Sequence, residues 1–215
     1  MARDPKNPPD LDAAYALETP DDNLRLYGDW ADSYDHSFAQ AMDYQLPTHV
    51  ARTFAELGGD GPVLDVGAGT GLLGEALRPL CDLDIDALDL SGEMLAVANS
   101  KGIYRKLIEA DLTKSLPLAP ASYGGVVSSG TFTHGHVGPD AIDGLLDAAK
   151  PGALFVLSVN AEHFEARGFA DKFEALAPQI EDYHIKTVQI YGAGAEGDHA
   201  GSQGHLAVFR KHSHP

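Results

Sequence analysis

Cysteine is nearly missing from this chain: Cys81 is its one example in 215 residues. That excludes an internal disulfide and a cysteine-based zinc cluster, and leaves Cys81 as an expected small buried residue behind the first core helix. Long apolar runs are also missing, none approaching the ~20 residues that span a bilayer. The opening Met1-Ala2-Arg3-Asp4-Pro5 has no apolar signal core, so the expected protein is cytoplasmic and away from membranes. Basic residues are scarce, with 15 Lys and Arg against 32 Asp and Glu for a net charge of −17. Such a field repels nucleic acid and anionic membranes, and no Lys/Arg cluster is present to offset it locally. A small, neutral or cationic molecule is the expected partner.

What is present suits a folded globular protein. A hydrophobic fraction of 44% and this length predict one α/β domain with a proper core. The first residues, rich in Pro and Asp, read as a lead-in, and helical patterning resumes around Leu24 to Phe38. The chain centres on Val63-Leu64-Asp65-Val66-Gly67-Ala68-Gly69-Thr70-Gly71-Leu72-Leu73. This is a short apolar strand, a turn with glycine at every second position, and the start of an amphipathic helix. Glycine serves where backbone takes positive φ or nears a ligand, and the following helix start offers unpaired N–H groups.

The residues around the glycines narrow the ligand. A phosphate-cradling loop needs Lys and Ser or Thr after the last glycine, where this chain has Leu72 and Leu73. A dinucleotide fingerprint is spaced G-x-G-x-x-G, whereas here it is G-x-G-x-G with Asp65 two residues ahead. An acid repels a pyrophosphate and attracts an ammonium group, so the expected ligand has a cationic amino-acid end.

Asp65 to Gly71 closely resembles motif I of the class I S-adenosylmethionine-dependent methyltransferases. The next strand, Asp84 to Leu90, brings Asp89 ahead of Ser91-Gly92-Glu93-Met94, and Glu109-Ala110-Asp111-Leu112 resembles the adenine corner of that family. The resemblance implies S-adenosylmethionine as cofactor, with Asp89 accepting from ribose hydroxyls and Asp111 from the adenine amine. The backbone N–H of Leu112 would meet the ring. Asp65, Gly67, Ala68, Gly69 and Gly71 would hold the methionine end. Leu90 and Ser128 complete the expected shell, and Met94 either touches adenine or packs in the core.

The implied fold is α/β: a Rossmann-like seven-stranded sheet, mostly parallel with the last strand antiparallel, helices on both faces and an N-terminal helical cap. Residues 1–44 would be the cap and 45–215 the core of one methyltransferase domain. Tyr27-Gly28-Asp29-Trp30-Ala31-Asp32-Ser33-Tyr34-Asp35 resembles a cap lying over the methionine end. Tyr27 and Tyr34 then either bond the cofactor carboxylate or shape the substrate mouth, and packing explains them equally well. Trp30 is read as core. With Thr133-His134-Gly135-His136-Val137-Gly138-Pro139, the segment is most similar to the methyltransferase-like proteins of the Williams-Beuren syndrome region.

Along the chain, periodicity predicts helices over Gln45–Leu57, Leu72–Leu80, Asp140–Lys150 and Phe169–Ala177. Strands are expected at Tyr104–Glu109, Tyr123–Ser128, Ala153–Val159, Ile180–Tyr191 and His205–Lys211. Ligands of open parallel sheets lie beyond the carboxyl ends of the strands, so His134 and His136 are the candidate general bases. Two other readings of these histidines stand: lining an apolar pocket with Phe132 and Phe164, or a metal site with His163 and His199. No metal is required for methyl transfer, and none is expected.

The expected function is methyl transfer to an O, N or S atom of a small molecule. Ser128-Ser129-Gly130-Thr131 stands where an Asn-Pro-Pro-Tyr-type motif would indicate base or glutamine methylation. Competing readings are a cofactor-binding sensor or interaction module without methyl transfer, and an NAD-dependent oxidoreductase, which the glycine spacing and Asp65 disfavour.

Overall fold

The computed structural model describes residues 31, 33–40, 42–133, 137–195 and 200–213. Tyr27, Trp30, His134, His136, His199 and His214 lie outside the described residues, as do the readings attached to them.

A π-helical turn, Asp35–Gln40, precedes α1, Leu46–Glu56. Pro stands in the first turn of α1, where its missing N–H costs nothing, and Gly58 at φ +65 ends the helix. There follow β1 (Val63–Val66), α2 (Leu72–Leu77), β2 (Ile85–Asp89), α3 (Gly92–Ser100) and β3 (Lys106–Glu109). Then come β4 (Tyr123–Phe132), α4 (Ala141–Ala148), β5 (Ala149–Asn160), α5 (Ala161–Ala166), α6 (Phe169–Leu176), β6 (Ile180–Gln189) and β7 (Gln203–Lys211).

The seven strands form one sheet in the order β3-β2-β1-β4-β5-β7-β6, with β7 antiparallel to both its neighbours and the other pairings parallel. This is the expected doubly covered Rossmann-like sheet. Strand alternation builds three layers. Phe155, Leu157, Ala207 and Phe209 join the cluster under α4 and α6, while Leu154, Val156, Leu206 and Val208 join the one under α1 and α2.

Several boundaries differ from the predicted ones. The helix after the glycine turn ends at Leu77, because Pro79 cannot donate the next bond, and Leu80 is left 47% exposed. Leu57 caps α1 and is exposed rather than on its buried face. Cys81 is half-buried, not buried. β4 runs past Ser128 to Phe132 through a register shift, with Gly130 at φ +81, so Ser129-Gly130-Thr131 is strand end rather than loop. β5 begins at Ala149, four residues before the predicted Ala153, and takes in Lys150 from the predicted helix.

Candidate cofactor and active site

Beyond Val66 the chain turns through Gly67, Gly69 and Gly71 at φ +64, +54 and +91. Each glycine has its own reason. A Cβ on Gly67 would collide with the Thr131 side chain, and one on Gly71 would lie 2.9 Å from the Tyr104 ring. A Cβ on Gly69 would meet nothing within 4 Å, so bare backbone there faces the open cleft.

The cleft lies beyond the carboxyl ends of the parallel strands, where the order reverses between β1 and β4. It encloses about 1010 Å³ with the solvent at its mouth, room for a nucleoside carrying an amino-acid tail. Asp89, at the end of β2, accepts from Gly69 N–H at 2.8 Å through Oδ2 and from Ser91 N–H at 2.9 Å through Oδ1. Burial raises its pKa against the opposing backbone donors. Each oxygen keeps lone-pair capacity toward the cleft.

Asp111 accepts from the Thr113 N–H at 2.8 Å and hydroxyl at 2.6 Å, and pairs with Lys114 at 3.0 Å. Burial alone would raise its pKa, but the Thr113 donors and Lys114 outweigh it and hold the group below the usual carboxylate range. Ser91 caps α3 by accepting from Met94 N–H at 3.2 Å, which fixes Met94 against the cleft.

Asp89 and Asp111 are the charged side chains among the described lining residues; no Lys, Arg or His lines it there. A pyrophosphate is therefore disfavoured, and a nucleoside with a cationic tail fits.

Of the sequence-predicted residues, Gly67, Ala68, Gly69 and Tyr34 line this cleft. So do Asp89, Leu90, Met94, Asp111 and Leu112. Three others are placed elsewhere. Asp65, expected at the ammonium end, is fully buried under the glycine turn and accepts from Tyr104 Oη at 2.7 Å. Its pKa is pushed up to about 7, first by burial and also by the nearby Asp89 charge, with the Tyr104 bond opposing. Gly71 packs against Tyr104, and the buried Ser128 hydroxyl donates to Val66 C=O at 2.7 Å.

Thr70, Tyr44 and Thr131, none of them among the residues named for the site from the sequence, also line the cleft. Thr131 donates to Val66 C=O at 2.9 Å, a second hydroxyl on the same carbonyl. Tyr44 lies so close to Gly130 that a Cβ there would strike its hydroxyl. The odd glycine within the strand end was the available signal. His163 is 2% exposed and its Nε2–H donates to Val137 C=O at 3.0 Å, tying α5 to the segment after β4. Among the described residues no three His, Cys, Asp or Glu side chains group as a metal set.

Residues 64–157, from β1 into β5, match the family model of a methyltransferase domain. Over that stretch the chain is similar to a methyltransferase domain. Methyltransferase-like protein 27 of Homo sapiens is 28% identical over 174 residues, which is 79% of this chain and 70% of the human protein. An S-adenosylmethionine-dependent methyltransferase structure from Thermotoga maritima superposes with a TM-score of 0.61 at 14% identity, covering 88% of this chain and 99% of that one. The [4+2]-cyclase SpnF superposes at 0.66 with 16% identity, covering 91% and 98%. At these identities the structural likeness is one of fold. The cofactor that a methyltransferase domain on this fold implies is S-adenosylmethionine, and the acidic cleft with its glycine floor has the composition to hold it. Among the described residues no helix is long and apolar enough to cross a membrane.

Proposed function

We propose that the cleft binds S-adenosylmethionine and that the chain transfers its methyl group to an O, N or S atom of a small molecule in the cytoplasm. The observation that carries this reading is the Asp89 carboxylate, fixed by the Gly69 and Ser91 N–H groups beside an open glycine floor. In this reading Asp89 accepts from the ribose hydroxyls, while Asp111 and the Leu112 N–H meet adenine. Tyr34, Tyr44 and the Ser129–Thr131 strand end frame the acceptor mouth. The cofactor supplies a methyl on positively charged sulfur. This chain's residues align the acceptor behind it, exclude water and remove a proton where the acceptor is a neutral hydroxyl or protonated amine. His134 or His136, which follow the end of β4 in the chain, would take that proton.

The acidic lining and the net charge of −17 favour a neutral or cationic acceptor over nucleic acid. The test is transfer of label from methyl-labelled S-adenosylmethionine to the small-molecule fraction of a cell extract. Label in a low-mass product supports the reading; label only in RNA or DNA contradicts it. A second reading, a cofactor-binding module without methyl transfer, is favoured by the shared fold with a protein described as a cyclase. Firm cofactor binding with no labelled product of any size would select it.

A further inference from the structure

The buried Thr70 stands between Gly69 and Gly71 on the cleft floor, and its hydroxyl donates to Asp35 Oδ1 at 2.6 Å. The other oxygen of the same carboxylate, Oδ2, accepts from Lys101 Nζ at 2.7 Å. Lys101 caps the C-terminus of α3, where a cation is favoured, and also pairs with Glu75 in the first turn of α2 at 2.6 Å. One carboxylate thus joins the segment before α1 to the glycine turn and to the two helices beside it.

Asp35 itself does not line the cleft, but its neighbour Tyr34 does, and so does Tyr44 at the far end of the same segment. Phe38 between them is buried with the cluster under α1, packing 5.0 Å from the Tyr34 ring and 5.5 Å from the Tyr44 ring. The far end is held by backbone pairing: Gln45 N–H to Ile190 C=O at 2.9 Å and Gly192 N–H to Asp43 C=O at 2.8 Å. The segment is therefore a strap, anchored on the β6 side by backbone and clipped to the cofactor floor by Asp35. The Lys101 and Asp35 side chains are 14% and 25% exposed, so the clip is shielded from solvent but within reach of it.

We propose that Asp35 is a positioning residue, coupling ligand binding in the cleft to docking of the strap formed by residues 33–40 and 42–44 over it. The inference rests on the cofactor reading above. A ligand touching both Thr70 and Tyr34 is held by two walls whose separation the carboxylate sets. By linkage, docking of the strap raises ligand affinity as much as the ligand favours docking.

The test is hydrogen exchange of amides 33–44 together with calorimetric titration of S-adenosylhomocysteine, for the parent, Asp35→Ala, Lys101→Met and the double variant. Met42 and Tyr44 donate backbone bonds within the strap, so their amides report its docking. Asp35→Ala should weaken S-adenosylhomocysteine about tenfold and speed strap exchange even without ligand. Lys101→Met, which touches no cleft residue, should weaken binding about threefold, and the double variant should be no worse than Asp35→Ala because Lys101 acts through Asp35. Asp35→Glu should recover part of the loss. A folded Asp35→Ala with affinity within twofold of the parent and unchanged strap exchange overturns the inference, as does full additivity with Lys101→Met. If Asp35→Ala does not fold, Lys101→Met alone decides, and unchanged exchange in it counts against the strap. A parent that does not bind S-adenosylhomocysteine, with exchange still faster in Asp35→Ala, would remove the cofactor reading and leave the strap.

Discussion

Tyr104 Oη donates to Asp65 Oδ2 at 2.7 Å while Asp65 Oδ1, wholly buried, meets no hydrogen-bond partner among the described residues. Asp86, a fully buried carboxylate in the neighbouring strand β2, is held differently. Asp86 takes a bidentate pair from Arg105 at 2.9 and 2.8 Å and a third bond from Tyr123 at 3.0 Å. A buried charge without such partners is relieved by a proton. Asp65 therefore works as a neutral or half-neutral tie between the glycine turn and the chain before β3.

This predicts a pH dependence with a definite sign. The folded pKa of Asp65 is raised to about 7 from 3.8, so the folded state binds the extra proton and stability falls as pH rises from about 4 to about 7. The group contributes about 4 kcal/mol across that window. Asp65→Asn, which cannot titrate, should gain stability relative to the parent as pH rises. Urea midpoints of both proteins at pH 5 and pH 8 measure this; an unchanged difference would remove the buried-proton account.

Tyr104→Phe removes the hydroxyl that donates to Asp65. It should lower stability by about 1–3 kcal/mol near pH 8, with less effect near pH 5. Chemical denaturation at the two values checks the direction.

The glycines should separate by readout. Gly67→Ala drives a methyl into Thr131, whose hydroxyl holds Val66, and should lower stability by roughly 2 kcal/mol or more. Gly69→Ala meets open space and carries mainly the cost of its φ of +54, about 1 kcal/mol. Its new methyl enters the cleft, so ligand affinity should fall at least tenfold while the fold persists. Thermal melts beside calorimetry distinguish the two outcomes.

Ser128→Ala provides a contrast with Asp89→Ala. The Ser128 hydroxyl bonds Val66 C=O, which Thr131 also bonds, so its loss should cost about 1 kcal/mol of stability and leave cofactor affinity unchanged. Asp89→Ala should weaken the cofactor by tenfold or more through lost charge-assisted bonds. Equal effects of the two on affinity would contradict the placement of Ser128 behind the cleft.

Much of this architecture was legible because local pattern and global fold agree. The continuous apolar run of β5 and the alternation of β6 and β7 marked strands, and the glycine turn after β1 carried the resemblance that implied the sheet. Asp89 and Asp111 stood at strand ends, where position alone brings a side chain to the cleft. Asp65 did not: it stands two residues after Val63, and strand alternation turns both toward the helical layer of α2 and α3, a signal the reading by charge passed over. The contacts of Tyr104 and Thr131 were beyond reach because each joins distant segments, Tyr104 with Asp65 and Thr131 with Gly67. Asp35 was noted only as part of an aromatic and acidic segment, since its partners lie 35 and 66 residues away.

The most direct measurement is isothermal titration of the purified protein with S-adenosylmethionine and S-adenosylhomocysteine, with NAD as control. The account predicts micromolar binding of both adenosyl ligands and none of NAD, whose pyrophosphate would face Asp89 with no described base beside it. Binding of NAD, or of neither adenosyl ligand, would contradict it.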